Sequence, residues 1–192
     1  MVTTENIKEL REKTGISIMQ CKKALDEAGG DIEKAEIILR KKSKEIADKK
    51  ASRDLGAGIV ASYVHGNGKI GSLIELLCET DFVAKNEDFK SLAKDIAMQV
   101  AATEAEFLTK DEISVDTKAK VEEILIKELE GKPEEMKAKI MEGKLDSYFK
   151  DRVLLDQPFI KDPSITIGVM LQEAVQKFGE RTEIGRFTKF NI

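Results

Sequence analysis

The chain has 192 residues, 41% apolar and 35% charged, with a formal net charge of −4 at pH 7. A globular chain of this size buries about 70% of its unfolded surface, enough for one good core and a small appendage. The acidic balance argues against a general nucleic-acid binder, and one histidine, no tryptophan and two cysteines leave no Cys/His cluster for zinc.

Residues 4–41 read as three short helices. The first places Ile7 and Leu10 on one face and stops at Gly15. Ser17 caps the second, which sets Ile18, Cys21, Leu25 and Ala28 at helical spacing and breaks at Gly29-Gly30. Asp31 caps the third, which buries Ile32, Ala35, Ile38 and Leu39. Met19 lies off the apolar stripe, and both a partly exposed Met and an adaptable apolar contact for a partner fit it. Between Arg40 and Arg53, seven Lys/Arg stand against two Asp/Glu. Residues 42–56 then read as a basic linker or helix extension. A nucleic-acid patch is the other reading, but no aromatic is interleaved to stack on bases.

Composition changes at residue 57. Residues 57–65 and 69–78 are apolar and β-branched, and Gly66-Asn67-Gly68 between them predicts a β-hairpin turn rather than a phosphate loop. Apolar residues fall on both faces of the second strand, with Ile70, Ile74, Leu76 and Cys78 on one and Leu73 and Leu77 on the other. That predicts a central strand covered on both sides. Thr80 can cap a short turn, and Asn86 caps a helix that buries Phe89, Leu92, Ile96 and Val100. Two amphipathic helices follow. One carries Val121, Ile124, Leu125 and Leu129; the other starts at Pro133 and carries Met136, Ile140 and Tyr148. The Gly131-Lys132-Pro133 joint makes them an antiparallel pair. Residues 157–163 read as a loop. The next helix turns Met170, Leu171, Ala174, Val175 and Phe178 inward and ends at Gly179, and 182–190 closes the chain as a strand. Strands and helices are segregated, so the fold class is α+β: a three-helix module over 1–41, then an antiparallel sheet packed by helices over 57–192.

No apolar run approaches the ~18 residues that span a bilayer, and residues 1–13 carry no leader-like apolar segment. The chain therefore reads as cytoplasmic, with reduced thiols at Cys21 and Cys78. Neither GxxxxGKS/T nor GxGxxG occurs, and no nucleophile–base pair stands out. No catalytic residue, metal or cofactor is expected. At the corner after the second strand, Thr80-Asp81-Phe82-Val83 puts a carboxylate beside a phenyl ring. Phe82 and Val83 can plug the end of the core, or Phe82 can enter a partner.

Several motifs in order favour the second reading. Leu10-Arg11-Glu12-Lys13-Thr14-Gly15, Met19-x-Cys21-Lys22-Lys23-Ala24-Leu25, Gly30-Asp31, Tyr63-x-His65-Gly66, Cys78-Glu79-Thr80-Asp81-Phe82-Val83-Ala84, Gln157-Pro158-Phe159-Ile160-Lys161-Asp162 and Arg186-Phe187 span the chain. Together they resemble the elongation factor Ts family. Departures are Ile16-Ser17-Ile18, where small residues and Met are more usual, and Arg181-Thr182, where Asn-Ile is commoner. The resemblance implies an exchange factor for GDP-bound elongation factor Tu, with no enzyme activity and no direct nucleic-acid contact. It implies a ubiquitin-associated-like module docking on the partner's GTPase domain, with Arg11, Gly15, Met19, Lys22 and Lys23 as candidate contacts. Thr80, Asp81, Phe82 and Val83 would displace the partner's Mg²⁺, and His65 and Gly66 would touch another of its domains. Longer members resemble a core with two related halves. A chain with one half, such as this, is expected to form a homodimer.

Two other classes compete. A ubiquitin-like or nucleic-acid-binding adaptor uses only the first helices and the basic run and leaves 57–192 unexplained. An enzyme would have His65 as its one imidazole base.

Overall fold

Three capped helices open the chain, in a computed structural model that describes residues 2–66, 68–126 and 134–192. α1 (Thr4–Thr14) ends where Gly15 takes a φ of 67° and its N–H closes on Arg11 O, a left-handed geometry that favours glycine. α2 (Ile18–Glu27) begins at Ser17, whose hydroxyl accepts the Gln20 N–H. α3 (Ile32–Lys50) begins at Asp31, whose carboxylate accepts the Lys34 N–H. The helices close over Leu10, Ile16, Cys21, Ala24, Leu25, Ala35 and Leu39.

One residue of the expected stripe is misplaced. Ile18 is 55% exposed, whereas Ile16, in the turn before it, is 2% exposed. Ile18 has the right angular position but sits at the open end of α2. The turn carrying Ile16 fills that space, its carbonyl 3.6 Å from Cys21 Sγ. The third helix also continues beyond the expected stripe, through much of the basic run, to Lys50.

The rest of the chain is β1 (Ala57–Val64), β2 (Ile70–Cys78), α4 (Asp81–Ala84), α5 (Glu87–Ala102), α6 (Val115–Ile126), α7 (Glu134–Lys150), β3 (Pro158–Phe159), β4 (Asp162–Thr166), α8 (Ile167–Phe178) and β5 (Thr182–Asn191). β1 and β2 form an antiparallel hairpin, with Ala57 opposite Cys78 and Val64 opposite Gly71. At its turn Gly68 has a φ of 70°; Asn67 lies outside the described residues, as do Leu129 and the Gly131-Lys132-Pro133 joint. β5 pairs with the other edge of β2, giving the order β1-β2-β5. β3 and β4 form a second small hairpin where a loop was expected, because Pro158 and Phe159 fold back on the residues beyond the Lys161 turn.

Opposite residues of an antiparallel pair share a face. Ile74, Leu76 and Cys78 lie in the main core with Phe89, Ile96, Val100, Ile167 and Ile184. Ile74 and Leu76 straddle a bulge in β5 that turns both Ile184 and Phe187 inward. On the other face lie Val60, Val64 and Leu73, all exposed, with Phe190 opposite Gly71. The expected cover on both sides of β2 is therefore missing from one side: α5 and α8 pack on the same face, and Leu73 is 41% exposed.

α6 and α7 pack around Val121, Phe149 and Val153. Lys118, early in α6, shares a cleft with Asp146 and Phe149, late in α7, so the two run antiparallel. Ile124 and Met136, expected inward, are exposed, near the ends of the two helices away from the Val121–Phe149 cluster. The three-helix module meets the sheet domain through α3 and α8. Buried Ser43 donates to the Gln176 amide oxygen, and Gln176 Nε2 donates to Gln20 Oε1 at 3.1 Å.

The exchanged roles of Ile16 and Ile18 give a direct check. Ile16→Ala costs about 2–5 kcal/mol of stability and Ile18→Ala less than about 1 kcal/mol, both read from urea unfolding.

Candidate functional site

β2 carries its core-facing side chains as far as Cys78 and then leaves the sheet. Thr80 has φ −133° and ψ 154°, the extended geometry of a helix N-cap, and α4 follows as one turn. Val83 and Ala84 are buried in the main core. Phe82, between them and the cap, is 82% exposed. Asp81 is equally open, its carboxylate 3.9 Å from Lys85 Nζ, an exposed pair worth little. The sequence places the plug and the exposed ring in the same tetrapeptide. The structure divides them: Val83 fills the core and Phe82 faces solvent.

Thr80 does not cap α4 with its side chain, as the sequence suggested. Its hydroxyl donates to Glu180 Oε1 at 2.6 Å and its N–H to Glu180 Oε2 at 3.0 Å. Glu180 follows Gly179, which ends α8 with a φ of 73°. The neighbouring residues reciprocate: Glu79 Oε1 accepts the Arg181 N–H at 2.6 Å. Arg53, just past α3, adds a salt bridge to Glu79 at 3.1 Å, and Arg181 Nη1 donates to the Arg53 carbonyl. Lys50 Nζ donates to Gly179 O at 2.6 Å. The Arg181 N–H, and after it Arg53, hold the Glu79 carboxyl below its ordinary value.

The module candidates Arg11, Gly15, Met19, Lys22 and Lys23 are all exposed, on the last turn of α1 and the first half of α2. Gly15 has a local reason of its own in the left-handed cap. A Cβ there would also lie 3.1 Å from Lys177 Cε. Lys177 pairs with Asp88, in the first turn of α5, at 2.9 Å. The module face and the Thr80–Val83 corner thus border the same C-terminal end of α8. His65 and Gly66 do not join them. They sit at the far end of the hairpin, about 25 Å from the corner at ~3.3 Å per strand residue. There the Tyr63 hydroxyl lies 3.2 Å from His65 Nδ1.

Sequence reasoning missed Glu180, Arg181 and Arg53. Gly179-Glu180 reads only as a helix stop. A carboxylate that binds a residue 100 positions away has no local signature. Burial pushes both Cys21 and Cys78 thiols up from their ordinary values, which disfavours the reactive thiolate. Among the described residues no cluster of three His, Cys, Asp or Glu could hold a metal, and no helix is long and apolar enough to cross a membrane.

Residues 45–192 match the family model described as elongation factor TS. The whole chain is 49% identical to an elongation factor Ts of Desulforamulus reducens, over 89% of that relative. It is 48% identical to those of Thermodesulfovibrio yellowstonii and Fervidobacterium nodosum, over 96% and 98% of their lengths.

The Glu79 geometry carries a pH prediction. A carboxyl whose folded pKa is depressed contributes stability above its unfolded pKa and loses it as pH falls through the folded value. The stability difference between wild type and Glu79→Gln is therefore full above the ordinary value of 4.5 and shrinks below it, as read by urea midpoints across that range. A pH-independent difference would contradict the assigned bonds.

Proposed function

The chain belongs to the elongation factor Ts family, a family of translation elongation factors, and from that premise we propose that it is the guanine-nucleotide exchange factor for GDP-bound elongation factor Tu. The observation that carries this reading is Phe82: 82% exposed on a single helical turn whose next two residues are buried. An apolar ring held out from an anchored base is the form of a wedge. In this reading the module docks through the face around Arg11, Gly15, Met19, Lys22 and Lys23. Phe82 enters the partner beside its bound Mg²⁺ and phosphate loop. Asp81 disturbs the metal-side network, with Thr80 and Val83 holding the backbone. His65 and Gly66 reach a second partner domain, which suits their distance from the corner. The factor itself makes and breaks no bond.

Magnitudes limit what the wedge does. Nucleotide affinity in such GTPases rests on amides cradling phosphate and on Mg²⁺. Speeding release ~10⁴-fold needs about 5.5 kcal/mol of differential interaction, and burying one Phe contributes roughly 1.5–3 kcal/mol. Phe82 is one contact of several, and the module face and the hairpin tip hold the partner in its loosened state.

The open sheet face fits the expected homodimer. Val60, Val64, Leu73 and Phe190 surround Gly58, Gly71 and Ser62, a flat apolar surface onto which a second copy can stack about 10 Å away. Its charged residues Glu75 and Glu183 are already matched within the chain, by Arg186 at 2.7 Å and by Arg181.

Two measurements test these readings. Stopped-flow release of fluorescent GDP from elongation factor Tu is strongly accelerated by the wild type, and Phe82→Ala loses about tenfold or more with its fold intact; a wild type without effect would refute exchange activity. In sedimentation equilibrium the wild type is dimeric at micromolar concentration, and Leu73→Lys raises the dissociation constant by about thirtyfold or more. A wild type found only at 21.4 kDa would remove the dimer.

A further inference from the structure

We propose that Glu180 is a positioning residue for the Asp81–Phe82 wedge, acting through its two-point grip on Thr80; this rests on the exchange reading above and assigns what aims the wedge. α4 is a helix of four residues, too short to be stable by itself, since a first helical turn fixes several dihedrals for one hydrogen bond. Neither exposed side chain of the wedge anchors it. Phe82 is open to solvent, and the Asp81 carboxylate pairs, among the described residues, with the exposed Lys85 ammonium.

The direction of α4 is therefore set by the residues on either side. Val83 and Ala84 anchor its C-terminal end in the core. At its N-terminal end the Cys78 thiol reaches Thr80 O at 3.2 Å, and one carboxylate holds both donors of Thr80. Glu180 Oε1 and Oε2 take the hydroxyl and the N–H of Thr80 at 2.6 and 3.0 Å. Two charge-assisted bonds to one residue fix its orientation as well as its place. A shift of about 1 Å in a group that must enter a partner's site is enough to lose much of its effect.

The anchor is itself held. Gly179 O is bound by Lys50 of α3, and the Arg181 N–H by Glu79. The carboxylate of Glu180 therefore hangs from a turn pinned on both sides. Lys50 and Arg53 extend the same tie to α3, the longest helix of the module. The wedge and the docking module are thus built on one frame, with Glu180 as the link nearest the wedge.

The test uses full-length protein with the GDP-loaded partner GTPase, varying the factor concentration. Glu180→Ala lowers the maximal release rate about tenfold while the half-saturating concentration stays within about twofold, because the docking residues are elsewhere. Glu180→Gln, which keeps one acceptor oxygen and nearly the same shape, recovers part of the rate and serves where the alanine variant does not fold. The decisive arm is the background carrying both Asp81→Ala and Phe82→Ala. A residue that acts by aiming those two side chains has little left to lose there, so the further substitution changes the maximal rate by less than about twofold. General destabilisation would instead lower both backgrounds alike. A wild-type maximal rate in both Glu180 variants, or an equal fractional loss with and without the Asp81 and Phe82 side chains, would overturn the proposal. A wild type that releases no nucleotide would remove the exchange reading itself, an outcome seen before any Glu180 variant is compared.

Discussion

Two carboxylates exchanged between the end of β2 and the end of α8 fix the corner on which this reading turns. Glu79 takes the N–H of Arg181, and Glu180 takes the N–H and hydroxyl of Thr80. Each loop satisfies the backbone of the other where neither sheet nor helix can. Charge-assisted bonds of this kind are about twice as strong as neutral ones, and here they join chain segments 100 residues apart in sequence. An exposed aromatic side chain has no fixed direction of its own. Phe82 acquires one because Thr80 before it and Val83 after it are both held. The same turn of α8 receives Lys50 from α3, so the orientation of the module and that of the corner are not independent.

The sheet shows the converse arrangement. One face of β2 is closed by α5 and α8, and the other is left apolar and flat by Gly58 and Gly71. A Cβ at Gly58 would lie 2.5 Å from Leu76 O, so glycine is required there by the approach of β1 to β2. The flatness that follows makes a surface suited to a second sheet. The exposed side chains of Val60, Val64, Leu73 and Phe190 on that face suit the homodimer proposed above.

Much of this was legible in the sequence, for reasons that are local. Ser17, Asp31 and Asn86 are N-caps whose side chains act within three residues. Gly15 and Gly179 are helix stops whose φ no other residue adopts as cheaply. The β-hairpin and the α+β class follow from period and turn chemistry. What escaped is what depends on distant chain. Ile18 has the spacing of a core residue, and only the turn holding Ile16 shows why it is not one. The open face of β2 looks covered in the sequence, because apolar residues report burial without saying by which molecule. The 158–166 hairpin hides in a short Pro-containing stretch. At the site, Thr80–Val83 could be placed at a strand-to-helix corner from its flanks alone, but which of its residues is buried and which faces solvent could not. Glu180 was invisible for a stronger reason: its partner is fixed by tertiary packing of α8 against the sheet.

Exchange activity is a coupling free energy, and coupling is reciprocal: a factor that loosens nucleotide must itself be loosened by nucleotide to the same degree. The most direct measurement is therefore the affinity of this chain for elongation factor Tu, by calorimetry, with the partner nucleotide-free and then saturated with GDP and Mg²⁺. Affinity should fall by a factor equal to that by which the chain raises the dissociation constant of GDP. Equal affinity in the two states would contradict the account, however tightly the two proteins bind.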